Sequence, residues 1–138
     1  MSNHNRNKGH DLERQVARDL KTNFKFVKTS RAASKLADDC AIDLVFVPFL
    51  IQCKNGYEKA RPKYELEYEK VKNRIEQNFP KDHPIHSLPF VLIHKITAER
   101  GKGKEEQNTQ VTISYEYFKW LIDSLDNEIK NKIPILSV

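Results

Sequence analysis

Leu12, Val16 and Leu20 recur every four residues through a polar stretch, with Ala17 beside them, which predicts an amphipathic helix over residues 9–22 opening at Gly9. Phe24, Phe26 and Val27 begin a short strand, and the polar run from Thr29 to Asp39 reads as a loop. Ala41–Val47 is a β-branched run carrying one acid, Asp43; Pro48 interrupts it and Phe49–Lys54 follows, so a hairpin is the economical arrangement. Tyr64, Tyr68, Val71 and Ile75 predict a second helix over 62–78, ending before Pro80. Phe90–Thr97 and Thr109–Ser114 read as a second hairpin around the charged tip Gly101–Glu106. Ser114 stands where an N-cap belongs, ahead of a third helix over 115–127 built on Tyr117, Phe118, Leu121, Ile122 and Leu125, and Ile133–Val138 adds a short tail segment. The order is α, β, β, β, α, β, β, α.

At 138 residues this pattern fits one domain, 1–138, with residues 1–8 as a flexible tail. Hydrophobic residues at 38% suffice for one compact core and exclude a disordered or collagen-like chain. No apolar run approaches the roughly 18 residues of a membrane span, and Met1–Asp11 lacks the apolar stretch of a signal peptide, so the expectation is a soluble cytoplasmic protein. Cys40 and Cys53 have neither CxxC nor Cys/His spacing and read as two buried thiols. His83, His86 and His94 form no metal-ligand pattern, and no P-loop, GxGxxG or GxSxG occurs.

Charge changes the picture. The net value is +5, and residues 1–35 hold nine basic groups against three acids. Such an excess suits a polyanionic partner, because each phosphate contact from Lys or Arg releases counterions; ordinary solvated surface accounts for it equally well. Lys102 and Lys104 make the hairpin tip either a wing that reaches phosphates or an exposed turn. Tyr117, Phe118 and Trp120 occupy more than one face of the third helix, which suggests a subunit interface as well as a core contact.

Three features converge on chemistry: Glu13 beside Leu12 at the edge of the buried helix stripe, Asp43 within one strand, and Gln52-x-Lys54 in the next. Strand alternation puts Gln52 and Lys54 on one face and Cys53 on the other. An acid embedded in Ile42-Asp43-Leu44-Val45 is costly to bury unpaired and calls for a cation or a hydrogen-bond network. Oxygen ligands beside a lysine suit metal-assisted phosphodiester hydrolysis; a plain Asp43–Lys54 ion pair is the structural alternative.

Lys8-Gly9-His10-Asp11-Leu12-Glu13-Arg14, Phe26-Val27-Lys28, Ala33-Ser34-Lys35, Ile42-Asp43-Leu44-Val45 and Ile51-Gln52-Cys53-Lys54 together resemble the archaeal-type Holliday junction resolvases of the PD-(D/E)xK nuclease superfamily. The resemblance covers about the first 55 residues, with a following helix in the expected place. It implies an α/β fold with a restriction-endonuclease-like αβββαβ core, a mixed central sheet flanked by helices. It also implies a homodimeric endonuclease acting on branched DNA with Mg²⁺, Mn²⁺ being an alternative. Glu13, Asp43 and Gln52 take the metal-holding places, Lys54 the water-positioning place, and Ser34, with Ser30 as the other candidate, that of a functional loop serine. Lys8, Arg14, Lys28, Arg31 and Lys35 would grip DNA phosphates.

Gln52 departs from the family, which carries Glu there. Its amide oxygen can still coordinate a cation, but the site loses one negative charge; Asp11, Asp38 and Asp39 lie close enough in sequence to compensate or are simply solvated. Two further readings follow: a nuclease of the same fold acting on other DNA, of restriction, repair or phage type, or a DNA-binding module with impaired catalysis.

Overall fold

The computed structural model of the protein describes residues 3–97 and 108–132, with backbone alone for 3–9, Glu58 and Thr97. It is a mixed α/β structure in which helices cover both faces of a three-stranded mixed sheet. The expected tip at Gly101–Glu106 and the tail segment from Ile133 lie outside the described residues.

The helix α1 runs Asn3–Leu20, so it includes residues 3–8, which the hydrophobic pattern leaves as tail, and Gly9 lies inside it rather than at its start. One hydrogen bond per added residue lets a helix nucleated on an apolar stripe extend into a polar stretch free of β-branching. Phe24–Val27 forms turns rather than a strand: Phe24 N–H donates to Leu20 O at 2.8 Å and Val27 N–H to Phe24 O at 3.1 Å. The strand β1 is only Lys28–Thr29, paired antiparallel with β2, Leu44–Val45.

The predicted loop contains two short helices, α2 (Ser30–Ala33) and α3 (Lys35–Asp39). Ser34 caps α3, its Oγ accepting from Ala37 N–H at 3.2 Å. At the other end of α3, Ile42 N–H bonds back to Ala37 O and Ala41 N–H to Asp38 O, both at 3.0 Å, while Ala41 adopts a left-handed φ of 61°. This closure usually employs glycine at the left-handed position. With alanine there, the chain carries no local signal for it, and the turn delivers Asp43 directly to the neighbouring strand.

The long strands are β3 (Leu50–Tyr57), β4 (Phe90–Thr97) and β5 (Thr109–Thr112), in the order β3-β4-β5. Between β3 and β4 comes α4 (Tyr64–Asn78), which makes that crossover parallel, with Leu50 opposite Phe90 and Lys54 opposite His94; β5 returns antiparallel. The expected hairpin of Ala41–Val47 with Phe49–Lys54 is reduced to Leu44–Val45 and a local contact, Asp43 N–H donating to Ile51 O at 2.8 Å.

Alternation along β3 divides two cores. Leu50 packs with Val71 and Ile75 of α4 and with Phe90 and Leu92; Ile51 and Cys53 pack on the opposite face with Leu12 and Val16 of α1 and with Ile93. The third helix, α5 (Tyr115–Asp123), starts at Ser114 as expected, whose Oγ accepts from Tyr117 N–H at 3.1 Å, but it ends earlier and a separate α6 (Asn127–Lys130) follows. No residue of α5 is buried; Tyr117 stacks on Trp120 and meets Phe49 edge-on.

Candidate metal and nucleic-acid site

Asp43 is fixed to the β3 backbone and lies in the electrostatic fields of Glu13 and Lys54. The α3 closure and the bond to Ile51 set its backbone against β3, and its carboxylate Oδ2 accepts Cys53 N–H at 2.7 Å. Burial pushes this carboxyl up to about 7; the Cys53 hydrogen bond and the Lys54 charge pull it down, whereas the Glu13 and Asp38 charges push it further up. Glu13 and Lys54, 30 and 11 positions away in sequence, thus both act electrostatically on one carboxylate. Among the acids noted as compensators, Asp38 contributes to this field, while Asp39 faces Lys35 at 3.3 Å and Asp11 faces Arg14 at 3.4 Å.

Glu13 is 6% exposed, held by the packing of its neighbour Leu12 against β3. Arg31, from α2, places Nη2 3.4 Å from Glu13 Oε1. These side chains border a cleft of about 230 Å³ that His10, Arg14, Thr29 and Ala32 complete. Two of the expected phosphate-binding residues, Arg14 and Arg31, therefore stand beside one of the expected metal-holding acids. Lys28 and Lys35 are exposed, and the side chain of Lys8 lies outside the described residues.

Gln52 is 3% exposed, and its Oε1 accepts no hydrogen bond among the described residues. A buried carbonyl oxygen without a donor is costly, and a cation or a water would satisfy it. It belongs to the face of β3 covered by α4, together with Lys54, while Glu13 comes from the α1 side and Asp43 bonds to the β3 backbone at Ile51 and Cys53. Lys54 Nζ lies 3.8 Å from Glu67 Oε2 of α4.

The two loop serines separate clearly. Ser34 spends its oxygen on the cap of α3. Ser30 is fully buried, its N–H donates to Asp43 O at 2.8 Å, and its Oγ has no hydrogen-bond partner among the described residues.

Oxygen donors of this kind suit a hard divalent cation: two carboxylates with mutually unfavourable charge, buried Glu13 and half-buried Asp43, the latter raised to about 7, and an unsatisfied amide oxygen at Gln52. Among the described residues no group of three or more His, Cys, Asp or Glu side chains is set to hold a metal. Among the described residues no helix is long and apolar enough to cross a membrane. No family model, curated protein or solved structure matches the chain.

Sequence reasoning passes over two contacts. The Arg31–Glu13 pair has no sequence signal, because 18 residues and two turns separate its members. Glu67 has one: it precedes Val71 and Ile75 at spacings of four, so an acid occupies a position of the buried stripe of α4.

Proposed function

We propose that this chain is a Mg²⁺-dependent DNA endonuclease, with branched DNA, most specifically the four-way junction, as its substrate. The observation that supports this reading is the half-buried carboxyl of Asp43, bonded to Cys53 N–H of β3 and lying in the opposing fields of Glu13 and Lys54. Glu13 and Asp43 would hold the cation with carboxylate oxygens, and Gln52 with its amide oxygen. The cation supplies Lewis-acid stabilisation of the charge that develops on the scissile phosphate. Lys54 orients the attacking water and answers the added negative charge with its ammonium. Arg14 and Arg31 hold a flanking phosphate in the cleft beside Glu13, and Lys8, Lys28 and Lys35 extend the basic surface along the backbone.

With the short helices α2 and α3 set aside, the order α1, β1, β2, β3, α4, β4, with β3 and β4 parallel, supports a restriction-endonuclease-like αβββαβ core, in which β1 and β2 pair with each other in a separate two-stranded sheet. A four-way junction carries two symmetry-related scissile strands, and a homodimer with two-fold symmetry would present two matching sites to them. Ser30 fits the functional-serine place better than Ser34, whose oxygen is already engaged.

The test is cleavage of a synthetic four-way junction beside a flap and a linear duplex, with Mg²⁺, with Mn²⁺ and with EDTA. Paired, metal-dependent nicks confined to the junction are expected, and Asp43→Ala should abolish them while junction binding persists. Cleavage of the flap or the duplex instead would shift the substrate to other DNA. Fully active Asp43→Ala protein would refute the mechanism.

A second reading is favoured by one observation, the neutral Gln52 where a third acid would complete the metal shell. The protein would then be a DNA-binding module of the same fold with impaired catalysis. Gln52→Glu discriminates: a large gain in cleavage supports this reading, and a loss or no change supports the active enzyme.

A further inference from the structure

Glu67 is a nearly buried acid that the site described above does not use. Its side chain is 12% exposed although it stands in the first turns of α4 between exposed Leu66 and half-buried Tyr68. The reason is its register. Residues 67, 71 and 75 repeat every four, and Val71 and Ile75 form the part of α4 that packs on Leu50, Phe90 and Leu92. Glu67 is the polar end of that stripe, and the helix lays it on the face of β3 that carries Lys54.

Both carboxylate oxygens face an ammonium: Oε2 lies 3.8 Å from Lys54 Nζ, and Oε1 lies 3.7 Å from Lys70 Nζ. Lys54 also acts electrostatically on Asp43. Its ammonium lies 3.8 Å from an acid of α4, Glu67, and exerts its charge on a second acid, Asp43, from another part of the chain. Gln52, two residues earlier on the same face, is neutral and offers the ammonium no charge. A lysine head on a four-carbon stem has many rotamers, and holding it in one place requires directed partners.

We infer that Glu67 is the positioning residue for Lys54, an acid supplied from helix α4 that holds the ammonium in place beside Asp43 where the strand itself supplies only Gln52. This rests on the reading of Lys54 as the group that orients water at a phosphate. Lys70, a mostly exposed lysine one turn along α4, faces the other carboxylate oxygen at 3.7 Å.

The experiment combines junction cleavage in Mg²⁺ with a measurement that needs no activity. Glu67→Gln should lower kcat roughly tenfold or more while leaving KM and the Mg²⁺ dependence in place. In a Lys54→Ala background the same substitution should change kcat by less than about twofold, because the residue acts through the missing lysine. Glu67→Asp should recover part of the loss. An equal fall in both backgrounds, or undiminished kcat in Glu67→Gln, would overturn the inference. Independently, NMR relaxation of the Lys54 ε-methylene should report lower order in Glu67→Gln than in wild-type protein and intermediate order in Glu67→Asp. If wild-type protein cleaves none of the DNAs, the nuclease reading fails by itself; unchanged ε-methylene order would overturn the positioning role whatever the cleavage result.

Discussion

Replacing Asp43 by asparagine isolates the cost of the carboxylate on which the site converges. The asparagine oxygen can still accept Cys53 N–H, now received by Oδ2 at 2.7 Å, so shape and hydrogen bond are kept and only the ionisable group is lost. In the folded protein burial raises this carboxyl from 3.8 to about 7. Below about pH 4 it is protonated in both folded and unfolded chains and exacts no penalty. As pH rises from there the unfolded chain releases the proton while the folded one retains it, so stability falls, and above about 7 the whole penalty is present. A rise of roughly three pH units at about 1.4 kcal/mol each amounts to about 4 kcal/mol. Urea unfolding at pH 4.5 and at pH 8 should therefore find Asp43→Asn more stable than wild type by only about 1 kcal/mol in acid and by up to about 4 kcal/mol in alkali. Millimolar Mg²⁺ should restore much of the difference at the higher pH to the wild-type chain and none to the variant, since a cation relieves the penalty only where there is charge to meet. A gap at pH 8 below about 1 kcal/mol, or one that fails to grow between the two pH values, would refute the reasoning, because it would mean that the carboxyl is as well solvated in the fold as in the unfolded chain.

Two other perturbations address separate parts of the structure. Ala41→Gly should stabilise the protein by about 1 kcal/mol in urea unfolding, because the left-handed φ of 61° that closes α3 costs alanine what it does not cost glycine; a destabilised variant would mean that the turn is not strained. Arg31→Met removes the cation already facing Glu13 at 3.4 Å. Mn²⁺ titration followed by electron paramagnetic resonance should then show tighter metal binding, while junction binding weakens and its salt dependence drops by about one counterion; metal affinity equal to or below that of wild type would show that Arg31 does not compete at Glu13.

The structures set by sequence periodicity are those whose information lies within a few neighbouring residues. The four-residue spacing of Tyr64, Tyr68, Val71 and Ile75 belongs to a helix, Phe90–Thr97 is a strand, and Ser114 caps α5 with its own oxygen. Strand alternation likewise places Gln52 and Lys54 on one face without reference to the rest of the chain. Tertiary structure decided what local pattern leaves open. The polar run after Thr29 became two helices because Ser34 caps one of them and Ala41 closes it without the glycine that would have advertised the turn. Only the packing of α1 and α4 on opposite faces of the sheet brought Glu13 and Lys54, far apart in sequence, into the electrostatic surroundings of Asp43. The same packing gave Glu13 an arginine and Lys54 a glutamate as partners. Charges 13 and 18 residues apart meet only after the chain has turned, and no pattern within either segment carries that path.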